Sequence, residues 1–108
     1  MERLIVILVG LSSLSANQSA QTFTGVINDD MCAGVGHGQM RMGPTDAECV
    51  TACVAYHDSK YVLEDGKTVY ALSDQRTPAA FAAQKVRVVG TLDTRTRTIT
   101  VESIAAAP

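Results

Sequence analysis

KYVLEDGKTVYALS, residues 60–73, decides the fold of this 108-residue chain. Two β-rich runs, 61–64 and 68–73, flank Asp65-Gly66. Asp-Gly accepts positive φ at little steric cost, so two strands can double back through a tight turn. Upstream, TDAECVTACVAYH (45–57) opens with Thr45 three residues before Glu48. That spacing is a capping box, in which side chains satisfy the free amides at a helix start. Before it, GVGHGQMRMGP (34–44) carries four glycines and a proline and reads as loop. TFTGVIND (22–29) is β-branched and aromatic and predicts a strand. Downstream, TPAAFAAQ (77–84) predicts a short helix with Pro78 in its first turn. KVRVVGTLD (85–93) and RTITVESI (97–104) alternate apolar and polar residues around DTRTR, a final hairpin.

The order is strand, loop and helix, strand, strand, short helix, strand, strand. It predicts a mainly β fold: a five-stranded OB-fold-like barrel with a cysteine-bearing helix inserted between strands 1 and 2 and a short helix between strands 3 and 4. The rival is a simple α+β sheet of the same strands.

MERLIVILVGL (1–11) followed by SSLSANQSAQ has the order of a secretory signal peptide: an Arg, an apolar run, then small polar residues. The run is far shorter than the roughly 20 residues needed to cross a bilayer. The expectation is a signal peptide over 1–20, cut between 15 and 21, ahead of one OB-like domain over 21–108. The product would be periplasmic or secreted, with no membrane span once processed. Net charge is −2 and aromatics are 5%. Phosphate binding needs clustered Lys and Arg, and base stacking needs aromatics, so nucleic acid is not expected as a partner.

TFTGVINDDMC, CVTACV, YVLEDGKTVYAL, VRVVGTLD and TITVESI together resemble a group of small exported bacterial proteins of uncharacterised function. The shared pattern is G-x-I-x-D-x-x-C, C-x3-C, a Tyr-Val-Leu hairpin and a closing V-x-G-x-L…I-x-V-x-x-I pair. The resemblance implies an OB-fold and carries no catalytic activity.

The chemistry is concentrated in one segment. All three cysteines, both histidines and three of the four methionines lie between Met31 and His57. Cys49 and Cys53 are four apart on the predicted helix and share a face; His57 is four further on. Cys32 follows the first strand and His37 sits in the glycine loop, where glycines let the chain fold back. Cys32, His37, Cys49, Cys53 and His57 are the candidate metal ligands, for a closed tetrahedral zinc site. Thiolates and thioethers also suit Cu(I), and Met40 and Met42 keep copper open.

In an exported protein, Cys32 can instead pair with Cys49 or Cys53, leaving an odd thiol. Each residue also has a plainer role: His57 as a helix-end cation, His37 as a solvated loop residue, Met40 and Met42 as gap fillers. Asp29 and Asp30 read as turn formers and caps more readily than as a paired carboxylate site. C-x3-C is not the thioredoxin spacing, and no Ser-His-Asp pattern or phosphate loop stands out, so no enzyme is expected. The expected function is an exported non-catalytic module for zinc or copper. The alternatives are a disulfide-stapled domain taking a protein or oligosaccharide ligand, and a self-assembling homo-oligomer.

Overall fold

A computed structural model describes residues 19–36, 38 and 41–108. The apolar run of the expected signal peptide, His37 and Met40 lie outside the described residues. The elements are β1 (Gln21–Asp29), α1 (Asp46–His57), β2 (Tyr61–Glu64), β3 (Val69–Leu72), a 3-10 helix (Thr77–Phe81), β4 (Lys85–Asp93) and β5 (Thr98–Ala106). The fold is mainly β, a mixed five-stranded sheet with one α-helix. As expected from the sequence, α1 falls between β1 and β2 and the short helix between β3 and β4.

The sheet closes on itself in the order β1-β2-β3-β5-β4, with β4 returning to β1. Every pairing is antiparallel except the short β3–β5 contact, where Ala71 and Leu72 face Thr98 and Ile99 in parallel. β1 makes closure work by serving two neighbours. Its first part, through Val26, pairs with β4, and from Val26 onward it pairs with β2. Gly25 stands at this switch. A Cβ there would come within 2.6 Å of the Glu64 carbonyl oxygen, so only glycine allows the close approach of β2.

The Asp65-Gly66 turn forms as expected. Gly66 has φ +98°, and Asp65 Oδ1 accepts from the amides of Lys67 (2.9 Å) and Thr68 (2.8 Å). The short helix stops at Phe81, earlier than its alanine-rich sequence suggests. Ala83 takes φ +63° and donates to the Ile27 carbonyl (2.8 Å), while Ile27 donates to that of Gln84 (3.1 Å). Docking on β1 overrides helix propensity here.

Ile27, Val50, Tyr61, Leu63, Leu72, Ala82, Val86, Val88 and Ile99 form one buried cluster inside the sheet. Val50 is the helical member; α1 seats it in the sheet's core while its neighbouring stripe faces elsewhere. Among the described residues, no helix is long and apolar enough to cross a membrane.

Candidate metal centre

Cys32, Cys49 and Cys53 form a second buried cluster, apart from the sheet's core. Cys49 and Cys53 are fully buried and Cys32 is 2% exposed. Their sulfurs all lie within 4.8 Å of one another. No disulfide joins any two of them.

Local sequence explains how two distant segments meet. Thr45 caps α1 as the capping box predicts: its hydroxyl oxygen accepts from the Glu48 amide at 3.1 Å, and its hydroxyl donates to Glu48 Oε1 at 3.1 Å. This fixes the helix register and puts Cys49 and Cys53 on one inward stripe. At the other end, Asp58 takes φ +57° and donates its amide to the Cys53 carbonyl, ending the helix.

Cys32 is carried by a turn built on Asp29. The Asp29 carbonyl accepts from the amides of Cys32 (3.3 Å) and Ala33 (3.0 Å). Its Oδ2 accepts from the amides of Met31 (3.1 Å) and Cys32 (3.2 Å). The Ser59 hydroxyl lies 2.5 Å from Asp30 Oδ1 and 3.3 Å from Asp29 Oδ2, and the Lys60 amide donates to Asp30 Oδ1 at 3.2 Å. Ser59 follows the helix end, so these contacts tie the turn of Cys32 to the helix of Cys53. Glu64 pins the same turn from the sheet, accepting from Asn28 Nδ2 (2.9 Å) and the Gly34 amide (2.8 Å).

The thiols sit in an environment that opposes their charge. Burial, and then the Asp29 carboxylate and the neighbouring sulfurs, push the Cys32 thiol up to about 12. Cys53 is also raised, first by burial and then by Asp29. Cys49 Sγ accepts a hydrogen bond from the Met42 amide at 3.4 Å. An amide aimed at sulfur supports the thiolate form that a metal requires. The Met42 side chain is partly buried against the trio.

Three sulfurs bound to one tetrahedral zinc at 2.3 Å would stand about 3.8 Å apart. Thiols already within 4.8 Å of one another need only a small contraction to reach that spacing. The donor set therefore fits a thiophilic ion, and the three cysteines are close enough to hold one.

The remaining sequence candidates stand differently. His57 is exposed at the last residue of α1 and is not among the groups brought together with the sulfurs. His37 lies outside the described residues. Asp29 and Asp30 do form the turn expected of them, but Asp29 is 0% exposed, and its burial against the cysteines was missed. Adjacent acids at a strand end give no signal of burial; the D-x-x-C spacing, which lets one side chain cap the amide of the cysteine three residues on, was the available hint.

Residues 56–107 match the family model described as Protein of unknown function (DUF5818). The match is just under half of the chain and covers β2 to β5. All three cysteines lie upstream of it, so the candidate metal centre is built on a segment outside the family match. No curated protein and no solved structure matches the chain.

Proposed function

We propose that the chain is an exported, non-catalytic metal-binding module, holding zinc or copper through Cys32, Cys49 and Cys53 on an OB-type barrel. The observation that carries this reading is the convergence of three buried sulfurs from a turn and a helix. The closed five-stranded order, with one helix at the β1–β2 connection, supports the OB-type part. Export rests on the leader-like order of the first residues. The test is thiol counting on reduced protein with and without zinc. Thiols masked by one equivalent of zinc and released by a chelator support the reading. Three thiols that react equally with and without the metal reject it.

The second reading is a disulfide-stapled binding domain. An open groove of about 590 Å³ lies where β1 changes partners, lined by Thr24, Gly25, Val26, Glu64, Asp65, Gly66 and Lys85. Its mix of backbone, charge and small side chains suits a peptide or oligosaccharide. Protein recovered from an oxidising compartment separates the two: a single reactive thiol in denaturant, unchanged by chelator, favours the staple.

A further inference from the structure

We propose that Asp29 is the fourth ligand of this centre, its Oδ1 completing a set of three sulfurs and one oxygen that suits a divalent ion of the zinc class. The proposal rests on the metal reading above and deepens it.

Asp29 is fully buried, and its two oxygens are unequally used. Oδ2 receives the amides of Met31 and Cys32 and faces the Ser59 hydroxyl. Oδ1 is buried with no hydrogen-bond partner among the described residues. A carboxylate oxygen out of water and without a partner is costly, and a cation removes that cost. The group stands beside the trio: it shares the turn of Cys32, and its charge acts on both Cys32 and Cys53.

Coordination chemistry supplies the rest. Structural zinc takes four ligands, and three sulfurs leave one position. Asp29 Oδ1 is not within the 4.8 Å set, so ligation asks the side chain to rotate toward the sulfurs. The Oδ2 contacts shift with that rotation, while the Asp29 carbonyl, which accepts from the amides of Cys32 and Ala33, still holds the turn. A hard oxygen turns the preference of the site away from Cu(I), which is satisfied by sulfur alone. Thiolates joined by a carboxylate also gather more negative charge than a monovalent ion offsets.

The test uses the full-length chain, reduced and handled without oxygen. Zinc affinity is measured against a chromophoric chelator for wild type, Asp29→Asn and Glu102→Gln, and the zinc-bound wild type is examined by X-ray absorption at the zinc edge. Asn keeps an acceptor oxygen for the turn and removes the charged ligand. Expected are a loss of roughly 10- to 100-fold or more for Asp29→Asn, no loss for the exposed β5 control Glu102→Gln, and an edge spectrum of three sulfurs and one oxygen without imidazole scattering. Circular dichroism of the metal-free variants checks that they fold. If Asp29→Asn does not fold, the infrared difference spectrum of wild type on adding one equivalent of zinc separates a carboxylate ligand, whose stretch shifts, from bound water, and an unshifted carboxylate stretch overturns the assignment. Imidazole scattering, four sulfurs, or an Asp29→Asn variant that binds zinc as tightly as wild type overturns the assignment of Asp29. Wild type that binds no zinc overturns the metal reading itself.

Discussion

Inside the closed sheet, nine buried side chains form one apolar cluster; beside it lie three sulfurs and a buried carboxylate, with Met42 the one partly buried hydrophobic packed on the sulfurs among the described residues. The first is a hydrophobic core in the ordinary sense, stabilised by the area it removes from water. The second packs three small thiols and also buries a carboxylate oxygen, Asp29 Oδ1, whose desolvation costs free energy. α1 belongs to both, with Val50 in the sheet's core and Cys49 and Cys53 one stripe round the helix. The sheet's core is thus filled without the sulfurs, and the helix and turn that carry the cysteines are the part an ion would act on.

The largest effect should fall on the sheet. Leu63→Ala removes a fully buried side chain from the centre of the core and should cost about 2–5 kcal/mol. Denaturant melts should give the same loss with zinc and without it. A loss seen only in the zinc-loaded protein would show that the two clusters are one cooperative unit.

Next in size is the response to the ion. Zinc at about 1,000 times its dissociation constant should raise the stability of wild type by about 4 kcal/mol. Cys49→Ser and Cys53→Ser should each abolish that gain, because a protonated hydroxyl replaces a thiolate, and should do so equally. Thermal midpoints with and without zinc measure it. One silent substitution beside one damaging one would point to a disulfide with Cys32.

A smaller effect concerns pH in the reduced, metal-free protein. Cys32 is raised in the folded state to about 12 from an ordinary value of 9.0. The folded state thus holds the proton more tightly than the unfolded chain. Its contribution to stability is fully present below about pH 9 and is lost as pH climbs from there toward 12. Urea midpoints should stay level through neutral pH and fall across that window. Cys32→Ser should flatten the fall. An unchanged slope in that variant would assign the alkaline loss to other groups.

The smallest effect tests how the helix presents its sulfurs. Thr45→Ala removes the hydroxyl cap on the Glu48 amide and should cost about 1 kcal/mol. Zinc affinity should weaken by less than in either cysteine variant, since fraying at the first turn disturbs Cys49 without removing it.

Much of this was legible because strands and caps are local. The alternation in 85–93, the Asp65-Gly66 pair and the Thr45–Glu48 spacing each act within a few residues, and the structure forms the strand, the turn and the cap there. The cysteine pair on one helical face followed from the 3.6-residue repeat alone. His57 stands further from that face. Each four-residue step overshoots a full turn by about 40°, so His57 is rotated about 80° from Cys49 and lies about 12 Å further along the axis. It emerges exposed at the helix end.

By itself, then, the sequence determined the order of strands and helices, the turn that pairs β2 with β3, and the stripe that joins Cys49 to Cys53, because these depend on neighbours close along the chain. Only the tertiary structure decided the parallel contact of β3 with β5 that closes the sheet, the approach of Cys32 to a helix many residues away, and the burial of Asp29 between them. Those depend on which surfaces meet once β1 passes from β4 to β2 beside Gly25, and a linear pattern of residue types does not encode which distant elements such a strand brings together.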